Sequence, residues 1–347
     1  MSLELLQIVW FLLFFVLVAG YAILDGFDLG AGVLSLFTRD DGERRVIVNA
    51  VAPVWDGNEV WLLTGGGALF AAFPPVYATV FSGFYLALML VLLGLILRAV
   101  SMEFRGKVDD PGWRRLWDVA FGVGSLLPAL LFGVAVGNLL RGLPLATVTD
   151  AVGTRVEFAG SFFGLLNPFS LLVGLAGLAM MVTQGALWLG LKADGPLRER
   201  ATRWTGVAWL AWVVCGTLAA VVAFFDTPAL LPTAAGRPLF WVFLVLMLAA
   251  LAVVPAWRRA RPGLAFLASS TAVAAQVGVG AATIFPNLVP SRTDAALSLT
   301  LANASSTRGT LSTMLVIALI GVPIVLVYTA VIYRAFRGKV VLDEHSY

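Results

Sequence analysis

The chain has 347 residues, of which 60% are hydrophobic and only 12% are charged. Soluble domains carry about 25% charged residues, so this composition excludes a soluble protein and predicts an all-α polytopic membrane protein. The net charge of +3 does not imply a nucleic-acid partner, because in a membrane protein the distribution of basic residues matters more than their sum.

Two residue types that bind redox metals are almost absent. The chain has one histidine, His345, and one cysteine, Cys215. Haem iron, copper and zinc sites require His or Cys, usually several of them. We therefore expect no metal site and no haem ligand in this chain, and any redox centre to lie in a partner.

Taken in chain order, the apolar segments predict about nine transmembrane helices, since a helix needs about 20 apolar residues to cross the hydrocarbon core. The first segment carries Glu4 and no basic residue ahead of it, so it is expected to be retained as a helix. The second is the weakest, because it is short and rich in glycine. The nine segments are about 5–36, 54–73, 76–98, 117–140, 160–190, 205–225, 238–256, 262–285 and 310–335.

The basic residues predict how these helices are oriented. With nine spans, 18 of the 23 lysines and arginines fall on one side of the membrane and 5 on the other. Basic residues concentrate in cytoplasmic loops, so we expect the N-terminus outside and the C-terminus in the cytoplasm. The connections are too short to hold a separate core, so residues 1–347 are expected to form a single integral membrane domain.

Two pairs of acids stand out against this apolar background. Asp25 and Asp28 are three residues apart on one face of the first helix, and Asp56 and Glu59 repeat that spacing at the start of the second. An Asp at the middle of a membrane helix costs about 2.5–3.5 kcal/mol and usually lines an ion path or a protein interior. Carboxylates in the cytoplasmic half of neighbouring helices could pass protons inward.

A structural role for the same acids remains open at this point. The carboxylates could cap or pin the two helices, and Asp56 could pair with Arg98. For Arg98, at the cytoplasmic end of the third segment, the default expectation is a side chain that reaches to the membrane surface. The sharper hypothesis is an ion pair with Asp56 or Asp28.

Several motifs resemble subunit II of the cytochrome bd-type quinol oxidases. They begin with Asp25–Gly30 and Asn49–Trp61, which are long and specific, and continue through Gly66–Pro74, Gly133–Leu140 and Phe285-Pro286 in the family's order. The resemblance implies two four-helix bundles plus a peripheral helix, in a multi-pass protein of the bacterial cytoplasmic (inner) membrane. It also implies a heterodimer with a haem-bearing subunit I, and it leaves open whether a small single-helix accessory subunit joins them.

The same resemblance implies a function. Subunit I of the family carries two b-type haems, one d-type haem and the quinol site, and the complex reduces oxygen to water with protons drawn from the cytoplasm. Some members also hold a structural quinone in subunit II. The acids of the family's proton path match Asp28 and Asp56 here; the supporting candidates are Asp25, Glu59, Arg98, Asn58 and Trp55.

Two other functions use the same features. A proton-coupled secondary transporter also places acids and glycine-rich helices inside the membrane, although no pair of broken segments in two matching halves is present. A purely structural scaffold would differ only in whether the acids titrate. Co-purification with a haem protein distinguishes the first alternative, and infrared titration of Asp28 and Asp56 distinguishes the second.

Overall fold

The computed structural model describes residues 1–150 and 153–342, and over these residues the chain is almost entirely helical. The described residues form thirteen α-helices and two short antiparallel strand pairs, which confirms the all-α class. The helices are α1 (Leu3–Ser35), α2 (Asp41–Val51), α3 (Trp55–Ala72), α4 (Pro74–Gly83), α5 (Tyr85–Phe104), α6 (Pro111–Arg141), α7 (Pro168–Lys192), α8 (Gly195–Asp226), α9 (Leu230–Ala235), α10 (Pro238–Trp257), α11 (Pro262–Ile284), α12 (Leu301–Ala304) and α13 (Arg308–Ala335).

Eight helices in the described part of the chain are long and apolar enough to cross a membrane, and each coincides with one of the nine predicted segments: α1, α5, α6, α7, α8, α10, α11 and α13. The remaining segment forms α3, an 18-residue helix that begins with polar residues. Asn58 of α3 contacts the Leu24 carbonyl of α1, and Trp61 lies against Gly20. Residue numbers rise along α3 from 58 to 61 while those of the contacted residues on α1 fall from 24 to 20, so α3 runs antiparallel to α1.

Two predicted boundaries differ from the structure. The third segment, 76–98, is two helices, α4 and α5, separated at Phe84, whose φ of −99° and ψ of 17° interrupt the helix. The fifth segment, 160–190, becomes helical only at Pro168. There the Asn167 side chain accepts a hydrogen bond of 3.0 Å from the Ser170 backbone N–H, an N-cap that proline at the first helical position reinforces.

The end of the bundle at which α1 begins is covered by two strand pairs, and we call it the hairpin end. Strands β1 (Leu145–Asp150) and β2 (Gly153–Phe158) pair with each other, as do β3 (Asn287–Val289) and β4 (Leu299–Thr300). Apolar side chains of these connections pack against the start of α1 in one buried cluster. Connections that were predicted only as non-spanning therefore form a cap on the bundle.

The opposite end, which we call the α2 end, is covered by the short helix α2. Asp40 caps α2 by accepting a hydrogen bond of 2.9 Å from the Glu43 backbone N–H. Ile47, Val48 and Val51 are buried from the same face of α2, with α1 and α7 beneath them. The sequence predicted this stretch only as a connection, because eleven residues are too few for a span.

Helix α1 lies at the centre and contacts α3, α6 and α7. Its approach to α7 is close because glycines face each other: a Cβ on Gly30 would lie 1.9 Å from the Met181 carbonyl oxygen. Small residues at a membrane helix interface allow such contact between backbones. Near this contact Phe27 stacks on Trp188, with ring centroids 4.3 Å apart, so the part of α1 that carries the first acid pair is held in the interior.

Candidate functional site

Three helices bring two acids and one arginine together in the interior. The Arg98 guanidinium of α5 donates hydrogen bonds to Asp25 Oδ1 of α1 at 2.6 Å and to Glu59 Oε2 of α3 at 2.8 Å. The side chains of Asp25 and Arg98 are 0% and 1% exposed, whereas Glu59 is 22% exposed. One buried cation therefore pairs with two carboxylates, which leaves one net negative charge, and it ties three helices to one another.

The second acid of α1 has a different environment. Asp28 is 1% exposed, and its Oδ2 accepts a hydrogen bond of 2.7 Å from the Asn58 side-chain amide. The amide oxygen of Asn58 in turn accepts a hydrogen bond of 2.9 Å from the Tyr333 hydroxyl of α13. No ion pair joins Asp28 to a cation among the described residues, so an amide and not a positive charge is its direct partner.

The two acids of each predicted pair therefore have different partners. Asp25 and Glu59 share Arg98, Asp28 contacts Asn58, and Asp56 is exposed in the first turn of α3. Spacing by three residues put Asp56 and Glu59 on one side of the helix, but only Glu59 turns inward. No hydrogen bond or ion pair joins Asp56 to another residue in the described parts of the chain.

The structure corrects both expectations for Arg98. It does not reach to the surface, since it is among the largest fully buried side chains. Neither does it pair with Asp56 or Asp28, because Asp25 and Glu59 occupy its guanidinium. Trp55 lies beside this ion pair, with the Arg98 guanidinium carbon 5.7 Å from its ring centroid, and so adds a cation–π contact.

Sequence reasoning missed Tyr333. The residue lies 275 positions from Asn58, in a helix that carried no acid and no motif of the candidate path. Its ring centroid is 6.5 Å from that of Phe27 and 5.9 Å from that of Trp188. An aromatic residue with a polar tip near the end of a span usually indicates a membrane interface, so the pattern gave no reason to place it at the acid cluster.

A second ionic cluster lies at the α2 end, near the ends of the apolar segments. Arg105 donates hydrogen bonds to Asp118 at 2.7 Å and to Asp41, and Arg44 contacts Asp118 at 3.1 Å. Partial burial acts to raise the pKa of Asp41, but the hydrogen bond and charge of Arg105 outweigh it and hold that pKa below its usual range. These pairs fasten α2 to the ends of α5 and α6, and they lie apart from the acids of α1.

The side chains that usually bind metal ions are scattered in the described part of the chain. Among the described residues, no group of three or more His, Cys, Asp or Glu side chains could hold a metal ion. Cys215 is half-buried within α8, and His345 lies outside the described residues. What the interior holds is carboxylates, an arginine, an amide and a phenol, joined by hydrogen bonds.

Comparisons with known proteins identify the family of this chain. A family model described as cytochrome bd terminal oxidase subunit II matches residues 6–336. Cytochrome bd-I ubiquinol oxidase subunit 2 of Escherichia coli (strain K12) is 38% identical over 370 aligned residues, covering 98% of this chain and 97% of the relative. Cytochrome bd ubiquinol oxidase subunit 2 of Bacillus subtilis (strain 168) is 35% identical, covering 95% of this chain and 96% of the relative.

A solved structure shows the same fold. A chain of the bd oxidase from Geobacillus thermodenitrificans superposes with a TM-score of 0.77 at 17% identity, covering 95% of this chain and 98% of that chain. Similarity at this identity concerns the fold alone. Family membership follows from the family model and the full-length relatives: the chain belongs to the cytochrome bd terminal oxidase subunit II family.

Proposed function

We propose that this chain is the haem-free subunit II of a membrane quinol oxidase that reduces oxygen to water, and that it supplies a proton path from the cytoplasm. Its family membership and the names of its full-length relatives support the first half of this proposal. The partner is a haem-bearing subunit I, and the two form a heterodimer. With one histidine and one cysteine in 347 residues, this chain is poor in the usual haem ligands, so we assign the haems to the partner.

The observation that carries the proton path is the charge balance of the buried cluster. Asp25, Asp28 and Glu59 contribute three carboxylates, whereas Arg98 is the one cation that their hydrogen bonds and ion pairs reach within the described residues. Buried charges without a partner are expensive, so the cluster is suited to take up a proton from the aqueous phase. Arg98 is the direct partner of Asp25 and Glu59, whereas the partner of Asp28 is an amide, so we assign the proton to Asp28.

We propose a topology for the complete domain, residues 1–347, in which α3 is the ninth span. It lies antiparallel to α1, and without it every later connection would change sides and the basic residues would no longer be segregated. The α2 end then faces the cytoplasm. The helices would form two four-helix bundles, with α13 as the peripheral helix, because only Leu311 of α13 is buried.

The test of the proton path is Asp28→Asn in the assembled, membrane-embedded oxidase. The amide keeps the shape of the side chain but cannot bind a proton, so quinol-driven oxygen consumption should fall by about 100-fold or more, the scale of a lost proton-transfer group. Oxygen consumption and the haem spectrum are measured on the same sample. Full turnover with full haem content would remove Asp28 from the path.

The same preparation separates the alternatives. Membership in this family favours an oxidase subunit over a proton-coupled transporter, and co-purification with a larger haem protein is the expected outcome. A scaffold role for the acids would leave no titrating carboxyl at Asp28. Infrared difference spectra of the unmodified complex and of Asp28→Asn therefore decide between a proton carrier and a scaffold.

A further inference from the structure

A cavity of about 350 Å³ opens at the α2 end, between the end of α7 and the segment that follows α13. Its wall includes Asn49 and Pro53 from the region of α2, Trp188 and Lys192 from α7, and Tyr333 from α13. A water molecule occupies about 30 Å³ in the liquid, so the cavity has room for roughly ten. Both polar and apolar groups line it, and it does not reach the hairpin end.

The roof of this cavity is a fixed part of the fold. Residues 336–341 cross the end of α7, and we call them the C-terminal strap. Lys192 Nζ donates a hydrogen bond of 2.5 Å to the Phe336 carbonyl, and the Val340 backbone N–H donates one of 2.9 Å to the Lys192 carbonyl. Lys339 Nζ donates a third, of 2.7 Å, to the Ala193 carbonyl. Three hydrogen bonds therefore hold the strap over the cavity.

The inner wall of the cavity leads to the buried acid. Tyr333 lines the cavity, and its hydroxyl donates to Asn58, whose amide donates to Asp28. Asp28 Oδ1 is buried and has no hydrogen-bond partner among the described residues, so it is an oxygen at which a proton can be accepted. The hydrogen-bonded path from the cavity crosses one phenol and one amide and ends at the other oxygen of the same carboxyl, Oδ2.

We propose that the cavity beneath the C-terminal strap is the aqueous entrance of the proton path, and that protons pass from it to Asp28 through the Tyr333 hydroxyl and the Asn58 amide. This inference rests on the proposed function, because it presumes that Asp28 carries protons. The positions of the acids alone do not indicate that Tyr333 and Asn58 link the cavity to Asp28. The chain thereby holds both a proton-binding group and a defined route to it.

The transfer step conserves the number of protons and the total charge. A hydronium ion in the cavity gives one proton to the Tyr333 oxygen, while the proton already on that oxygen moves along its hydrogen bond to Asn58 Oδ1. An Asn58 Nδ2 proton moves at the same time to Asp28 Oδ2. Tyr333 is neutral before and after, the hydronium becomes water, and the Asp28 carboxylate becomes a carboxylic acid. Asn58 gains a proton on its oxygen and gives one from its nitrogen, so it passes through the imidic acid form. It returns to the amide when the oxygen loses that proton and the nitrogen regains one.

The structure offers a matched pair of variants on α13. Tyr333→Phe removes the hydroxyl and keeps the ring that packs on Phe27 and Trp188. Tyr328→Phe makes the same change at a position that is 55% exposed and does not line the cavity. Both are made in the complete oxidase in membranes, and haem content confirms assembly.

The readout is the rate at which the Asp28 carboxyl exchanges with deuterium, followed by infrared spectroscopy after transfer into D₂O. The band is assigned by its loss in Asp28→Asn. Tyr333→Phe should slow the exchange and the turnover by about tenfold or more, whereas Tyr328→Phe should change neither. Unchanged exchange in Tyr333→Phe, beside a turnover defect in Asp28→Asn, overturns the entrance and leaves the proposed function intact. Normal turnover in Asp28→Asn rejects the proposed function itself.

A second arm tests the cavity without altering the phenol. In a Cys215→Ala background, Ala335→Cys places a thiol in the cavity wall, and Val331→Cys places one on the exposed face of α13 one turn away. A charged, membrane-impermeant thiol reagent should block turnover of the first variant from the side of the α2 end and leave the second active. Inhibition of both, or of neither, with labelling confirmed by mass spectrometry, contradicts the cavity as the entrance.

Discussion

At the scale of single residues, Arg98 has the largest share in holding the acid cluster together. Its side chain is fully buried and is the common partner of Asp25 and Glu59. Removal of one member of a buried ion pair leaves the others as buried charges without compensation, which typically costs about 3–5 kcal/mol. Arg98 therefore determines whether α1, α3 and α5 can stay together in the interior.

We expect Arg98→Gln to lower the thermal unfolding midpoint of the purified complex strongly, because two carboxylates lose their cation. Arg98→Gln combined with Asp25→Asn should recover part of that loss, since one of the two orphaned charges is gone. Melting curves followed by haem absorbance measure both variants and the Asp25→Asn single variant. Losses that simply add in the double variant would show that the two side chains do not act as a pair.

Asp56 has a different environment from the other acids, because it is exposed on α3 and has no partner among the described residues. If it belongs to the proton path, Asp56→Asn should slow oxygen reduction or weaken haem retention in the assembled complex. Thr64→Val, on the same exposed side of α3, is the control and should leave both unchanged. Normal turnover and normal haem content in Asp56→Asn would remove this acid from the path.

The sequence alone could identify the acids but not their partners. Spacing by three residues correctly places Asp25 and Asp28 near each other on α1. It does not say how α1 is rotated against α5, and that rotation decides that Arg98 reaches Asp25 and not Asp28. Tyr333 is separated from Asn58 by 275 positions, and no local pattern indicates a contact of that kind.

At the scale of elements, the contact between α1 and α7 depends on glycine. A Cβ on Gly185 of α7 would lie 2.3 Å from the Ala31 backbone nitrogen of α1, which is closer than any real Cβ contact. Backbone atoms cannot move aside as a flexible side chain can. The two helices would have to separate, and the first acid pair on α1 would move with them.

We therefore expect Gly185→Ala to reduce the yield of assembled complex and its thermal stability, at a cost of about 1–3 kcal/mol for overpacking. Gly190→Ala lies on the same helix, with open space where its Cβ would be, and serves as the control. Size-exclusion profiles and unfolding midpoints of both variants provide the measurement. Equal yields and equal unfolding midpoints for the two variants would show that the close contact between α1 and α7 does not contribute to stability.

The long apolar helices could be located from hydropathy, because eight of them contain a window apolar enough for a span. The elements that escaped detection are short or interrupted. Helix α2 has eleven residues, the strand pairs lie in polar connections, and the break at Phe84 has no proline and only Gly83 beside it. Each of these is fixed by contacts with the bundle and not by local periodicity, so a window of about 20 residues cannot reveal it.

At the scale of the whole molecule, the chain is a multi-pass protein of the bacterial inner membrane with strongly asymmetric charge. The α2 end carries most of the basic residues, and the hairpin end carries few. Our topology predicts that Thr149→Cys in β1 is labelled by an impermeant maleimide on intact spheroplasts, whereas Lys107→Cys, between α5 and α6, is not. Both are made in a Cys215→Ala background. Labelling of both, or of Lys107→Cys alone, would refute nine spans in this orientation.

The position of the cluster along the chain has a consequence for biosynthesis. Asp25, Glu59 and Arg98 all lie within the first 98 residues, so their ion pairs can form while the later helices are still being synthesised. The contact from Tyr333 to Asn58 has to wait for α13. A nascent chain could thus compensate its most expensive charges early in membrane insertion, and the surroundings of Asp28 would be completed only after the rest of the bundle has been made.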